Sequence, residues 1–235
     1  MSFKMVQVEG GTFTMGAVTG PANQMPAHQV TLSSYSIGQT EVTQELWLAV
    51  MGTNPSVFQA SNTPPYNLNP SLQRPVESVT WDDCQAFINR LNELTGMAFR
   101  FPTEAEWEYV ARGGKRIKGY TYAGSNNIDD VAWYTFNTGN YGEANFGTQI
   151  VATKAPNELG LYDMNGNVYE WCQDYGYSYT EDAQINPVCT SSEMEPDRIY
   201  RGGSFKDFPI YATIVHRHWK APTTVDMHMG LRLAL

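Results

Sequence analysis

The sequence predicts a single α+β domain that is irregular and has a low content of secondary structure. Apolar residues recur at helical spacing only before residue 115, whereas residues 115–235 alternate short aromatic runs with Gly, Asn, Asp and Pro. The 235 residues include 20 Gly, 14 Tyr and 6 Trp, a composition typical of loops that pack on large aromatic side chains. Because no linker-like or repeated stretch divides the chain, residues 1–235 are expected to form one domain.

Strands are predicted at the start of the chain. Residues 3–16 contain an extended segment, a Gly10-Gly11 turn and a second extended segment. Residues 27–42 alternate apolar and polar side chains, which predicts another pair of strands. A helix is expected from Thr43 to Met51, because its apolar residues share one face and Gly52 follows as a stop.

Two further helices are predicted from their first turns. Thr80 caps a helix whose apolar residues recur at helical spacing, and Thr103 and Glu106 form a capping box for the next helix, which should end at Gly113-Gly114. Glu104 and Glu106 are therefore interpreted as capping residues of a helix first turn rather than as catalytic acids. No convincing helix is predicted after residue 114.

The charge balance and the hydropathy limit the partners and compartments. A net charge of −9 at pH 7 argues against a nucleic-acid partner, which needs an excess of Lys and Arg on one face. No apolar run reaches the roughly 18 residues that a membrane helix needs, so no membrane span is expected. Residues 1–20 lack the features of a signal peptide. The localisation is cytoplasmic by default, or cell-surface or extracellular if an export signal has been trimmed.

The cysteines and the known catalytic motifs point to no reaction. Cys84, Cys172 and Cys189 are widely spaced and form no zinc-binding or redox pattern. The first two lie in apolar segments and are predicted to be buried thiols. The motifs of serine hydrolases, zinc proteases, P-loop proteins and dinucleotide-binding enzymes are absent from the sequence. No catalytic constellation is therefore visible.

Seven sequence blocks, taken together and in this order, resemble a single family. They are GGTFTMG at 10–16, EVT at 41–43, PVESVTW at 75–81, RFPTEAEWE at 100–108, GLYDMNGNVYEW at 160–171, RGGS at 201–204 and GLR at 230–232. The set is similar to the sulfatase-modifying-factor family, which includes the formylglycine-generating enzyme. The resemblance implies a C-type-lectin-like fold of the formylglycine-generating-enzyme type, in which the C-terminal half forms the ligand-facing surface.

The resemblance does not extend to the copper site of that enzyme. The family's oxidase binds copper through two cysteines that follow the RGGS motif. In this chain Asp207 stands where the first cysteine would be, Ala212 stands near the second, and no cysteine follows Cys189. Because this copper chemistry needs thiolate ligands, neither bound copper nor formylglycine generation is expected.

The resemblance also implies a structural calcium ion in the 160–171 block. Residue by residue, the matching positions are Asp163 and Glu170, which would offer carboxylate oxygens, and Gly166 and Val168, which would offer carbonyl oxygens. Hard oxygen ligands around a tight turn suit calcium. The alternative is a hydrogen-bonded turn without metal.

The C-terminal segment, within residues 200–235, is the candidate ligand-binding region. Residues 205–229 depart most from the family pattern and are unusually rich in large apolar and aromatic residues. A rigid frame that presents aromatic anchors is typical of a recognition surface for a protein or a glycan. The alternative is that these side chains pack in the core. The candidate ligand-binding residues are Phe208, Ile210, Tyr211, Thr213, Val215, His216, His218, Trp219, Val225, Asp226 and His228.

This segment is also similar to that of the variable proteins of diversity-generating retroelements. Several of those proteins have this fold and carry their diversified residues in a C-terminal segment. Adenine-directed mutation of AAY codons gives residues such as Phe, Tyr, His, Asp, Ile, Val, Thr and Ala, but never Lys, Trp or Met. Ten of the eleven candidates fall in the permitted set, whereas Trp219, Lys206 and Lys220 would have to be fixed.

Two other functions stay open at this point. The chain could be a metal-dependent oxidoreductase of the same family with an atypical site, because His216 and His218 would share one face of a strand and His228 could approach them. It could also be a structural component of a secreted complex, in which the fold acts as a scaffold. The leading hypothesis is a non-enzymatic ligand-binding domain.

Overall fold

The computed structural model describes residues 3–59, 71–143, 145–191 and 196–235. The strands in these residues are β1 Met5–Val8, β2 Gly11–Met15, β3 His28–Leu32, β4 Tyr35–Gly38, β5 Tyr169–Tyr175, β6 Gln184–Ile185, β7 Arg198–Arg201, β8 Arg217–Lys220 and β9 Met229–Leu231. The helices are α1 Gln44–Met51, α2 Trp81–Thr95, α3 Glu104–Ala111 and α4 Ile128–Val131. Most of the described chain is irregular, so the predicted α+β fold with low secondary-structure content is confirmed.

The predicted strands are present, but β1 and β2 lie in different sheets, as do β3 and β4. Strand β1 pairs with β4, and β2 pairs with β3 in a sheet of order β2-β3-β6. The turn at Gly10-Gly11 therefore carries the chain from one sheet to another and closes no hairpin. A Cβ atom on Gly10 would lie 2.3 Å from the carbonyl oxygen of Leu32, so the crossing requires glycine.

A third sheet organises the C-terminal half. Its strand order is β8-β7-β5-β9, with β9 parallel to β5 and the other pairs antiparallel. The residues after β9 return to the N-terminal half of the chain. Ser36 and Leu235 exchange two backbone hydrogen bonds of 2.9 Å, and Arg100 and Ala234 exchange another two. The end of the described chain is thus tied to β4 and to the segment before α3.

Local capping sets the three predicted helices. The side chain of Thr43 accepts a hydrogen bond from the backbone of Leu46 at the start of α1, and Gly52 ends that helix in a left-handed conformation. Capping boxes begin α2 at Thr80 and α3 at Thr103. Helix α4 was not predicted, because a single turn is too short to show helical periodicity. All helices in the described residues are too short or too polar to cross a bilayer.

Two large apolar clusters, and a third small one around Tyr134 and Ala212, form the core of the described residues. One packs the first four strands against α3, and the other packs α1 and α2 against β5, β7 and β9. Trp47 of α1 and Phe87 of α2 stack in the second cluster with ring centroids 4.8 Å apart. Cys84 and Cys172 are fully buried, as predicted, and burial raises the pKa of each thiol. Both are therefore inert packing residues.

Buried ion pairs hold β7 and β8 against α3. Arg201 donates to Glu104 at 2.9 Å and to Glu108 at 2.6 Å, and Arg217 donates to Glu104 at 2.6 and 2.7 Å. All four side chains are fully inaccessible to solvent. The interpretation of Glu104 as a cap is therefore wrong, since its carboxylate binds two guanidinium groups. Its partners lie about a hundred residues away, which local spacing could not reveal.

We expect Arg217→Ala to destabilise the fold by about 3–5 kcal/mol, because it leaves the buried carboxylate of Glu104 short of one partner. The matched control is Arg90→Ala, which removes an exposed pair with Glu93 and should change the free energy of unfolding by less than about 0.5 kcal/mol. Urea denaturation of both variants measures the difference. Equal effects would contradict a structural role for the buried network.

Glu77 is a second buried carboxylate with a perturbed proton affinity. It accepts hydrogen bonds of 2.8 Å from the backbone N–H of Phe58 and the hydroxyl of Ser78. Burial raises its pKa to about 7, although these hydrogen bonds and the charge of Arg74 oppose the shift. At neutral pH the folded state therefore holds a proton that the unfolded state has released.

This shift predicts a pH-dependent stability. Because the folded pKa lies above the unfolded one, the contribution of Glu77 is present at low pH and is lost as the pH rises through about 7. As the pH rises from about 5 to about 8, the wild type should lose about 2 kcal/mol of folding free energy that Glu77→Gln keeps, because glutamine does not titrate. Urea denaturation of both proteins at the two pH values measures it. A constant difference would show that Glu77 titrates normally.

Candidate ligand-binding surface

The C-terminal segment is fixed at both ends and exposed in the middle. The buried pairs of Arg201 and Arg217 hold it where β7 ends and where β8 begins. Between these two points the chain forms a 3-10 helix, Pro209–Ala212, on the surface. The network thus fixes both ends of a segment in which some side chains, such as Phe205 and Ile214, are buried and others are exposed.

The predicted residues divide by exposure. The exposed members have large side chains and are Phe208, Ile210, Tyr211, Trp219 and Val225. The half-buried members are Thr213, Val215, His218 and Asp226. Only His216 and His228 are buried, so the alternative of core packing holds for these two. Whether the exposed members bind a ligand stays a prediction.

Phe136, which the sequence reasoning missed, extends this surface. Its ring is 68% exposed and lies 5.6 Å from the ring of Phe208 in an edge-on contact. The backbone N–H of Thr135 donates to the carbonyl of Asp207 at 3.1 Å, which joins the two loops. No local pattern connects residues 134–137 with the C-terminal segment, so only the fold reveals the contact. We call Phe136, Phe208, Ile210 and Tyr211 the aromatic patch.

Trp219 lies apart from the patch. Successive residues of a strand point to opposite faces of a sheet, so Trp219 and His218 of β8 face opposite sides. The ring of His218 stacks on Tyr200, 5.7 Å away, and lies 6.5 Å from Tyr211. The ring of Trp219 instead covers Gly176 and the guanidinium of Arg217. The structure therefore does not bring Trp219 together with the other exposed aromatic residues.

His216 and His218 form a layer beneath the patch. The rings of His216 and His218 are 4.4 Å apart, and Tyr211 lies edge-on to His216 at 5.1 Å. Burial, together with the charges of His218 and Arg201, lowers the pKa of His216 to about 3, so this ring stays uncharged. Two adjacent rings alone do not make a metal site. In the described residues no group of three or more His, Cys, Asp and Glu is placed to hold a metal ion.

Asp226, one of the predicted ligand-binding residues, is engaged by its own chain. Lys206 and Lys220 approach its carboxylate to 3.8 and 3.4 Å, and the His228 ring is in direct contact with it. Burial alone would raise the pKa of Asp226, but the hydrogen bond and charge of His228 and the two lysines lower it to about 2. Asp226 therefore ties three segments together beside Val225.

Asp207 and Ala212 are the residues expected from the sequence at, and near, the positions of the oxidase's two cysteines. The hydroxyl of Ser204 donates a hydrogen bond to the carboxylate of Asp207. Burial and this carboxylate raise the pKa of the neighbouring Tyr169 hydroxyl, which also hydrogen-bonds to it. Ala212 is buried against the backbone of Gly203. Asp207 thus accepts hydrogen bonds, and Ala212 provides a packing contact.

Glu170, from the predicted calcium set, has a buried cation as its partner. Arg232 donates to its two oxygens at 2.7–3.0 Å, and the indole N–H of Trp107 donates to Oε2 at 2.7 Å. Arg232 and Trp107 are fully buried as well. A calcium ion at Glu170 would have to displace the guanidinium, so the predicted ligand set does not fit calcium without breaking this pair.

The rest of the predicted calcium turn is partly satisfied by hydrogen bonds. Oδ2 of Asp163 accepts from the backbone N–H of Ala152 at 2.7 Å, and Oδ1 is buried without a partner among the described residues. Burial raises the pKa of Asp163 to about 6. The backbone N–H groups of Gly166 and Val168 donate to a carbonyl and a carboxylate. The contacts match the alternative of a hydrogen-bonded turn, and calcium binding stays a prediction.

Comparison with known proteins gives a matching family model and several related sequences. The model of the sulfatase-modifying factor enzyme 1-like domain matches residues 2–235. The chain is 35% identical over 220 residues to the chaperone protein LppX of Paenibacillus barcinonensis, covering 74% of this chain and 72% of that protein. It is 32% identical to the serine/threonine-protein kinase pkn1 of Chlamydia pneumoniae over 98% of this chain, yet spans only 38% of the kinase.

A solved structure is similar over almost the whole chain. Treponema denticola variable protein 1 superposes with a TM-score of 0.86 and 32% sequence identity, covering 99% of this chain and 94% of that one. The similarity includes the C-terminal half, where the aromatic patch lies. It agrees with the fold expected from the sequence blocks.

Because the C-terminal segment contains both buried and exposed residues, two substitutions in it should have very different effects on stability. Phe205→Ala should cost about 3–5 kcal/mol, because the ring is fully buried between Phe58 and Phe146. Phe208→Ala, three residues later, should cost less than about 1 kcal/mol, because the ring is mostly exposed. Chemical denaturation of the two variants provides the test. A large loss at Phe208 would mean that the patch is part of the core.

Proposed function

Since the chain belongs to the family of sulfatase-modifying factor enzyme 1-like domains, we propose that it is a non-enzymatic, ligand-binding member. Its aromatic patch would contact the ligand, and the C-terminal segment would be diversified by a retroelement. The observation that carries the proposal is an exposed apolar patch on a frame that buried ion pairs hold rigid. Such patches on soluble proteins mark interaction sites.

The composition of the patch favours a protein ligand over a glycan. Ile210, with 65% of its surface exposed, contributes an aliphatic side chain two residues after Phe208 in the same exposed segment. The carboxylate of Asp226, which could accept hydrogen bonds from a sugar, already pairs with Lys206. Glycan recognition depends on hydrogen bonds to hydroxyl groups, whereas protein interfaces gather aromatic and aliphatic anchors at their centre.

Diversification requires that recognition and stability depend on different residues. The exposed positions Phe208, Ile210 and Tyr211 make few of the contacts that hold the fold, whereas Arg201 and Arg217 make many of them. The similarity to a protein named variable protein 1 supports a scaffold that tolerates changes at its surface.

The diversified segment predicts a signature in the genome. A near-copy of the DNA that encodes residues 200–235 should lie close to the gene, together with a reverse transcriptase gene. The codons for Phe208, Ile210, Tyr211 and Val225 should correspond to AAY in that copy, and the codon for Trp219 should be unchanged. Sequencing the locus provides the check. A locus without a copy and a reverse transcriptase would exclude diversification but not binding.

The binding role predicts a localised loss of affinity. The protein should be screened against an array of purified bacterial surface proteins and an array of glycans. For a ligand found there, Phe208→Ala combined with Tyr211→Ala should weaken binding at least about tenfold, the size expected for hot-spot residues. Calorimetry or surface plasmon resonance measures the affinity.

The matched control for that experiment is Ile185→Ala. Ile185 is 78% exposed on β6, outside the patch, and its removal should leave the affinity unchanged. Equal losses in the patch and control variants would contradict the proposal. A ligand found only on the glycan array would contradict the preference for a protein. Stoichiometric redox metal that disappears after replacement of His216 and His218 would instead favour the oxidoreductase alternative.

A further inference from the structure

Strand β1 lies at the edge of its sheet. Its strand partner is β4, and in the described residues no strand pairs with its other side. The far side of β4 is occupied, because Ser36 exchanges hydrogen bonds with Leu235 and Gly38 donates to Leu233. β1 is therefore the outermost strand of this group of extended segments.

The register shows which residues of β1 face outwards. Successive residues of an antiparallel strand direct their backbone groups to alternate sides. Because Gly38 bonds on the far side of β4, its neighbour Ile37 bonds to β1, where its partner is Val6. Met5 and Gln7 thus direct their backbone N–H and C=O groups away from the sheet. Among the residues that the structure describes, these groups meet no hydrogen-bond partner.

The outer edge of β1 is accessible. Gln7 is exposed, and Met5 and Val6 are half-buried. The side chain of Gln7 turns back onto its own sheet, where it donates to the carbonyl of Tyr35 at 3.4 Å and accepts from the hydroxyl of Ser36 at 3.3 Å. This side chain therefore lies on the β4 side of the strand, away from the outer edge.

The sequence of β1 contains none of the features that usually keep an edge strand unpaired. Such strands carry a proline, a charge or a bulge that prevents pairing. The four residues of β1, MVQV, include no proline and no charge, and their register with β4 is unbroken. The edge strand β8 differs, because it carries Arg217 and Lys220, and the side chain of Asn23 donates to the carbonyl of Arg217. β1 thus has the properties of a strand that accepts a further partner.

We propose that β1 pairs with β1 of a second copy of this chain, antiparallel and across a two-fold axis at Val6. In this register Met5 of one copy lies opposite Gln7 of the other, so each outward N–H group meets a C=O group. The pairing uses all of the unpaired backbone groups of both edges. Because each copy contributes a single β1, the two-fold axis closes the assembly at a dimer.

The charges beside β1 favour the antiparallel direction and a second copy as the partner. Lys4 precedes the strand and Glu9 follows it. An antiparallel pair brings the lysine end of one copy to the glutamate end of the other, whereas a parallel pair would bring like charges together. Glu9 already contacts Lys115 of its own chain, but its side chain is 73% exposed and so remains open to a second cation.

The pairing would change how the domain binds. The outer edge of β1 shares no residue with the aromatic patch, so the dimer would present two patches. Two patches on one particle bind a repetitive surface more tightly than a single patch does. The inference does not depend on the proposed function, because self-association is measured without a ligand.

Sedimentation equilibrium over a range of protein concentrations tests the pairing. The wild type should approach twice the mass of one chain as the concentration rises. Gln7→Pro removes the outward N–H group and keeps the hydrogen bonds of β1 to β4, so the dissociation constant of the dimer should rise at least about tenfold. Gln7→Thr, which keeps the N–H group and suits a strand, is the matched control and should dimerise like the wild type.

A cross-link locates the axis and does not require the proline variant to fold. The background is Cys189→Ser, which removes the partly exposed thiol. In it, Val6→Cys should form disulfide-linked dimers under mild oxidation, because the two Cα atoms of such a non-hydrogen-bonded pair lie about 4.5 Å apart. Gln29→Cys, exposed on the central strand β3, is the control and should not cross-link.

Three results would overturn the proposal. A wild type that stays monomeric at every concentration would show that a second copy is not the partner of this edge. An unchanged dissociation constant in folded Gln7→Pro would place the interface elsewhere. Cross-linking of Val6→Cys no faster than that of Gln29→Cys would exclude a two-fold axis at Val6.

Discussion

The fold depends on one interaction, the buried carboxylate of Glu104 held between the guanidinium groups of Arg201 and Arg217. Burying charge is costly unless every partner is present in good geometry, so the arrangement permits little displacement. A single side chain of α3 thereby sets the positions of β7 and β8. A domain with so little regular structure gains rigidity from such pairs, because long sheets and helices are not available to provide it.

The same solution recurs on the neighbouring strand β5 of the third sheet. Arg232 binds Glu170 of β5 and also donates to the carbonyl groups of Gly38 and Tyr162. The C-terminal segment is therefore anchored by buried arginines before, within and after it. Between the anchors, the side chains at the surface can differ without a change in the frame, which is the physical basis of the proposed role in recognition.

Local features of the fold could be predicted from the sequence, and distant ones could not. Thr43, Thr80 and Thr103 begin helices through contacts three residues away, so their caps are visible in the sequence. The partners of β1 and of Glu104 are far along the chain and leave no local pattern. The candidate surface shows the same limit. The alternation of side chains along a strand predicts that His218 and Trp219 point to opposite faces of the sheet, but it does not predict which of the two faces the patch.

The backbone hydrogen bonds between Ser36 and Leu235 have a consequence for biosynthesis. Until residues 233–235 have left the ribosome, strand β4 has only β1 as a partner, and Arg100 lacks the backbone partner that Ala234 provides. Folding of such a chain is governed by contacts of high sequence separation, which form slowly. Until then the nascent polypeptide exposes apolar residues of both core clusters, so this domain depends on chaperones until residues 233–235 have been made.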